Sequence, residues 1–291
     1  MTKGNEMEKK LKIGKIIAFI RETKHLKLKE MTGGDFSESQ LAKFEKGETE
    51  ITVGKLFTVL ENSNVYLDEF QNLYNDYEQS DEYNFRHKLA VAYAQKNIEK
   101  IIEIHNFWKE KSQQNPENKY YKINETVVKT NLVMVQNAED IKKDNDLLMN
   151  YLESVSEWGR YELWVFGNCL RHFDDNALKY YGMQILGKAN YYHSIHLNQQ
   201  IVIRTFLNLI DTWLRRENLI QAFKYINHLK EIGISINFFY EKILFEYHKA
   251  HYTVLQKQNG AIEEMKKHAQ TLADYGFPLE AKFLFEEIEK L

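Results

Sequence analysis

The sequence predicts an all-α protein in two parts: a head of five short helices, then a longer array of paired helices. Three observations carry this. Only 2 prolines and 13 glycines occur in 291 residues, a composition that suits long helices better than a many-turned sheet fold. Apolar residues recur at spacings of three and four along most of the chain, the period of an amphipathic helix. After the polar break Glu78-Gln79-Ser80-Asp81 the helices come in pairs, whose first members recur about every 35–45 residues.

In the head, Ile13, Ile16, Ile17 and Ile20 give a helix from about Leu11 to Thr23, with Met1 to Asn5 as a loose tail. A short helix at Leu28 to Met31 ends at Gly33-Gly34. The next one, Ser37 to Gly47, has both ends written into it. Ser37 and Gln40 form a capping box, in which the Gln40 side chain reaches back to the Ser37 N–H, and Gly47 suits the left-handed residue past the helix end. Leu41, Phe44 and Glu45 share its inner face, so Ser37, Glu38, Ser39, Gln40 and Lys43 point outward. Thr52 caps a fourth helix through Asn62, and Leu67 to Tyr77 make a fifth. The array then reads as pairs at 84–95 and 97–113, 117–136 and 144–156, 159–172 and 174–192, 195–216 and 217–232, 237–258 and 260–275, with a last helix at 278–290. Stacked hairpins of this period are tetratricopeptide-like, and the first helix of each pair lines a concave surface.

Hydrophobic content of 43% and charged content of 28% are those of an ordinary soluble globular protein, and 291 residues suffice for two units. The expected division is 7–78 and 79–291. No apolar run approaches membrane-span length and no signal-peptide pattern opens the chain. A single cysteine, Cys169, excludes an intrachain disulfide and points to a reducing cytoplasm. Net charge is −3, yet residues 1–66 carry +2 and the rest −5, a mild basic bias in the head.

Enzymatic signatures are missing: no nucleophile elbow, phosphate loop, dinucleotide fingerprint or paired-histidine zinc motif occurs. Cys169 sits among Leu163, Val165, Phe166 and Leu170 and reads as a core residue. His193 with His196, and His248 with His251, stand three apart without a cysteine or clear carboxylate partner, so they read as partly buried histidines. Neither catalysis nor a cofactor is expected. A short, capped, outward-polar helix after a Gly-Gly turn is what a helix-turn-helix protein places in a DNA major groove. Ser37, Ser39 and Gln40 are the expected base readers, with Gln40 best suited to adenine. Lys12, Lys15, Lys29 and Lys43 are the expected phosphate contacts.

Ile13-Gly14-Lys15 with the run Phe36 to Glu48 resembles the repressor-type helix-turn-helix, and more narrowly the Rgg/GadR/MutR regulators of Gram-positive bacteria. The segment Ser156-Glu157-Trp158-Gly159-Arg160-Tyr161-Glu162, followed by Phe166-Gly167-Asn168-Cys169, supports the narrower resemblance. It implies a homodimeric transcription regulator that binds a roughly palindromic double-stranded operator. It also implies repeats that take a short imported signalling peptide, as in quorum sensing, with RNA polymerase as a further partner and no membrane. By that resemblance Asn168 and Arg171 contact the peptide. Arg204 and Asn208, four apart on the next first helix, extend the same surface, and Lys88 is a further candidate. Leu28-Lys29 replaces a glutamine common in such heads, and Val53 stands where some relatives carry a crosslinking cysteine. Arg21 and Glu45 occupy positions that often form an internal ion pair. Two other readings stay open: an interaction adaptor with a degenerate head, and a regulator whose repeats only dimerise.

Overall fold

The computed structural model describes residues 3–77, 81–136, 142–188 and 196–291, and all regular structure among them is helical. The chain forms two compact units, Met1–Arg86 and His87–Leu291. The boundary expected at 78/79 lies outside the described residues, as does the end of the helix expected through 192.

The head holds α1 (Lys3–Thr23), α2 (Leu28–Thr32), α3 (Glu38–Glu45), α4 (Val53–Asn62) and α5 (Leu67–Tyr74). Its core joins Ile16, Ile17 and Ile20 of α1 to Met31, Leu41, Phe44, Val59, Leu60 and Phe70. Gly14 permits the closest approach in this bundle. A Cβ there would stand 2.2 Å from the Phe44 carbonyl oxygen, so only glycine lets α1 lie against the end of α3. The same two helices are clamped by Arg21, whose Nε and Nη2 donate to the two carboxylate oxygens of Glu45 at 2.7 and 2.9 Å. Arg21 and Glu45 are therefore structural.

Three ends differ from the expectation. The first helix begins at Lys3, because the Glu- and Lys-rich run before Leu11 favours helix without needing a core contact. The fifth stops at Tyr74, where Asp76 and Tyr77 take positive φ of 55° and 63° and Asp76 accepts from Lys12 Nζ at 2.6 Å. The Ser37 cap is half of the expected box. Its Oγ accepts the Gln40 N–H at 3.2 Å, but the Gln40 side chain turns away to accept from Lys55 Nζ at 2.8 Å.

The division falls within α6 (Asp81–Ala94), and the second unit goes on with α7 (Ile98–Gln114), α8 (Lys119–Gln136), α9 (Lys142–Ser154), α10 (Arg160–Cys169), α11 (Asp175–Lys188), α12 (His196–Arg215), α13 (Leu219–Ile232), α14 (Phe239–Leu255), α15 (Ala261–Asp274) and α16 (Pro278–Ile288). First members α8, α10, α12 and α14 pack side by side in one row, and α13 and α15 pack against α12 and α14. This is the tetratricopeptide-like arrangement. The core runs through the repeats, with Trp158, Phe166, Phe173, Tyr181, Phe206, Trp213 and Tyr225 all buried.

The Trp-Gly-x-Tyr-Glu segment turns out to be the start of α10, held from every side. Trp158 is buried and donates its indole N–H to Leu152 O at 3.2 Å. Glu162 accepts the Gly159 N–H at 2.8 Å, closing the helix start, and also accepts from Tyr151. Tyr161 donates to Asn124 Oδ1 at 2.9 Å, tying α10 to α8. Cys169 is fully buried, its Sγ 3.5 Å from Thr130 Oγ1, and burial pushes the thiol up to about 12, so it stays protonated.

Candidate DNA-reading face and ligand groove

On the head, Lys15 of α1, Lys29 of α2 and Ser37, Ser39 and Lys43 at α3 are all exposed. Gln40 is half-buried and held by Lys55, whose ammonium also lies 5.2 Å from the Phe36 ring centroid. Lys55 was not anticipated; its place at the start of α4, three residues after the Thr52 cap, was the available signal. The bond takes one lone pair of Gln40 Oε1 and leaves Nε2 without a protein partner among the described residues. The second Oε1 lone pair and both Nε2 hydrogens remain available, so the donor–acceptor pair expected from sequence to suit adenine is still present. Lys12 is tied to Asp76 and sits 5.1 Å from the Tyr74 ring, so it braces the bundle.

In the second unit the row of first helices presents a polar stripe. On α12, Arg204, Asn208, Asp211 and Arg215 follow at spacings of four, three and four, one helical face. Arg204 Nε donates to Glu241 of α14 at 2.6 Å, and Gln200 Nε2 donates to the same oxygen at 2.9 Å. A cavity of about 250 Å³ opens here, lined by Arg204, Leu207, Asn208, Tyr240, Leu244, Phe277 and Glu280. Further along, Asp211 accepts from Arg171 at 2.7 Å and from Arg215 at 3.0 Å, and Arg215 also pairs with Glu287 of α16. Tyr247 donates to Glu287 at 2.7 Å.

The electrostatics of this cluster follow from burial and pairing. Burial alone would raise the Asp211 carboxyl, but Arg171 and Arg215 beside it hold it well below the usual carboxylate range. Glu287, buried and facing Asp211, is raised instead. Burial pushes His248 and His251 down to about 4, so both are neutral near pH 7. Two arginines then balance two carboxylates. His193 and His196 lie outside the residues whose side chains are described.

The family description "HTH-type transcriptional regulator Rgg, C-terminal domain" matches residues 105–283. The chain belongs to the Rgg family of transcriptional regulators. Solved structures agree in fold over nearly the whole chain. The SHP pheromone receptor Rgg2 of Streptococcus dysgalactiae is 22% identical, with a TM-score of 0.76 over 96% of this chain and 99% of that one. A candidate transcriptional regulator from Listeria monocytogenes EGD-e is 20% identical, with a TM-score of 0.80 over 97% of each chain. A bacterial peptide pheromone/receptor complex is 17% identical, with a TM-score of 0.68 over 96% and 98%. No described helix is long and apolar enough to cross a membrane.

Against this Rgg-family frame the sequence-derived groove residues divide. Asn168 is on α10, half-buried, donating to Trp164 O at 2.8 Å and accepting from Asn131 at 3.5 Å. Arg171 is not on the continuing α-helix. The helix ends at Cys169, and Arg171 lies in a 3₁₀ turn, Leu170–His172, whose three-residue period keeps it on the side of Asn168. Its guanidinium is already on Asp211. Arg204 and Asn208 share the cavity wall, and Asn208 has no side-chain partner among the described residues. Lys88 is exposed on α6, outside the cavity lining. Asp211, Glu241, Tyr240, Phe277 and Glu280 were missed. Continuing the helical face of Arg204 and Asn208 by steps of three and four would have reached Asp211 and Arg215; the residues from α14, the α15–α16 turn and α16 leave no such local trace.

Proposed function

We propose that this Rgg-family regulator is a homodimer that reads a roughly palindromic operator through α3 and binds a short signalling peptide along the first-helix row of its second unit. The observation that carries the ligand half is the cavity at Arg204 and Asn208, with apolar walls from Leu207 and Leu244 and an unpartnered amide in Asn208. A peptide backbone needs donor and acceptor together, which an asparagine supplies. Pheromone recognition by the Streptococcus dysgalactiae receptor and by the pheromone/receptor complex of like fold supports the reading. The DNA half rests on the exposed face of Ser37, Ser39 and Lys43, with Gln40, Lys15 and Lys29 around it. Action on DNA places the protein in the cytoplasm, and RNA polymerase is the contact through which a bound peptide would act if DNA affinity did not change.

Mobility shift on genomic fragments flanking the gene tests the DNA half: a discrete complex that weakens steeply with salt is expected, and its absence at moderate salt would sink that half. Titration of short apolar peptides followed by anisotropy tests the ligand half. Affinity unchanged by both Asn208→Ala and Asn168→Ala would show that the peptide sits elsewhere. One observation favours a narrower ligand set: Asn168 and Arg171 are both satisfied within the protein, so on this geometry they support the row before they touch a ligand.

A further inference from the structure

The cavity at Arg204 carries an imbalance of charge. Arg204 is the cation among its lining residues, and Glu241, a carboxylate only 1% exposed, neutralises it at 2.6 Å. Glu280, at the start of α16, lines the same cavity, is half-buried, and has no hydrogen-bond or ion-pair partner among the described residues. Further along the row Arg171 and Arg215 face Asp211 and Glu287, and Arg160 of α10 donates to the neutral Asn198 of α12. At the cavity itself Arg204 stands against Glu241 and Glu280, a surplus of one negative charge.

The walls suit a particular counter-charge. Tyr240 and Phe277 lie with ring centroids 5.1 Å apart beside the opening, and aromatic faces attract cations. Leu207 and Leu244 supply an apolar floor for a side chain. A carboxylate entering here would meet Glu241 and Glu280 together with a single arginine already engaged by one of them. An ammonium would meet an open carboxylate, the Phe277 ring beside a Tyr240 ring that already carries the Arg204 guanidinium at 5.7 Å, and the Asn208 amide oxygen.

We propose that this cavity holds the free α-amino end of the bound peptide, with Glu280 as its counter-charge and the first side chain against Leu207 and Leu244. The inference rests on the peptide reading above and gives the peptide its direction: amino end between α12, α14 and α16, remainder toward Asn168 on α10. A lysine side chain offers the same ammonium chemistry, so the test separates the two sources.

Four small probes, titrated into the full chain and followed by saturation-transfer NMR, make that separation. Phenylalaninamide carries a free α-amine, N-acetylphenylalaninamide carries no charge, N-acetyllysinamide carries only a side-chain ammonium, and N-acetylphenylalanine carries only a carboxylate. Phenylalaninamide is expected to bind best. Glu280→Gln should weaken it about fivefold with an unchanged melting temperature, as for loss of a half-exposed ion pair. Stronger binding of the lysine probe, of the acetylated amide or of the carboxylate would overturn the assignment, as would a Glu280→Gln protein that binds phenylalaninamide equally well. The probe ranking on the unmutated chain stands even if the variant fails to fold. A pool of synthetic apolar octapeptides run in parallel keeps the two claims apart. If the pool binds and phenylalaninamide does not, the amino-end assignment falls and the peptide reading survives; if neither binds, both fall.

Discussion

On α3 of the head, the exposed side chains of Ser39 and Lys43 have no partner among the described residues, whereas in the groove of the second unit most charged side chains are paired. Arg171, Asp211, Arg215 and Glu287 pair with one another across two helices and a 3₁₀ turn, and Arg204 is held by Glu241. The head is thus a preformed surface fixed from behind by Gly14 and the Arg21–Glu45 clamp. The groove pairs most of its charges internally, and among the described residues its open groups include Asn208, Glu280 and the buried Nδ1 atoms of His248 and His251. A surface of the first kind binds without rearranging. One of the second kind gains from a ligand mainly where its groups are still unpartnered, since breaking a buried pair costs more than a new contact returns.

The largest effect that would sharpen this contrast is Gly14→Ala. A Cβ 2.2 Å from the Phe44 carbonyl must push α1 from α3, and a loss of about 3 kcal/mol is expected in denaturant unfolding of the head. An unchanged midpoint would show that the clamp does not depend on this approach. Next, Asp211→Ala should destabilise the second unit by about 2 kcal/mol, because it strands Arg171 and Arg215, whose partial exposure softens the cost.

Acid should also separate the two units. His248 and His251 sit at about 4 in the folded protein against the ordinary 6.5, so the unfolded chain binds more protons between those values. Their stabilising contribution is full above pH 6.5 and is lost as pH falls toward 4, at up to about 1.4 kcal/mol per pH unit for each. Glu287, raised when folded, works the other way, taking up a proton in the native state as pH falls. The net expectation is a second unit less stable at pH 5 than at pH 7 by about 1–2 kcal/mol, with the slope reduced in His248→Gln. Calorimetry at both pH values checks it; a flat profile would remove the buried histidines from the account. The smallest effects belong to the reading helix. Ser37→Ala removes one cap bond and should cost about 1 kcal/mol. Lys43→Ala should leave folding unchanged and lower the salt slope of operator binding by about 1.

Much of this was legible in the residues. Spacing of three and four gave the helices of the array to within a few residues, because each buries one stripe in a shared core. The Arg21–Glu45 pair, the inner face of Leu41 and Phe44, and the Gly47 stop also followed from the sequence. What did not follow was side-chain allegiance. Gln40 had a local partner on paper in Ser37, but Lys55 on another helix competes for its oxygen. Arg171 and Arg204 read as ligand contacts because the carboxylates that hold them lie 40 and 37 residues further along, one repeat away, where no local pattern reports them.

The division of labour between the units is tested most directly by measuring operator affinity and peptide affinity on the same two variants, Lys43→Ala and Asn208→Ala, by fluorescence anisotropy. The account predicts that Lys43→Ala weakens DNA binding and leaves peptide affinity intact, while Asn208→Ala weakens peptide binding about tenfold and leaves DNA affinity without peptide intact. Peptide affinity that falls in the head variant, or stays unchanged in the groove variant, would contradict it.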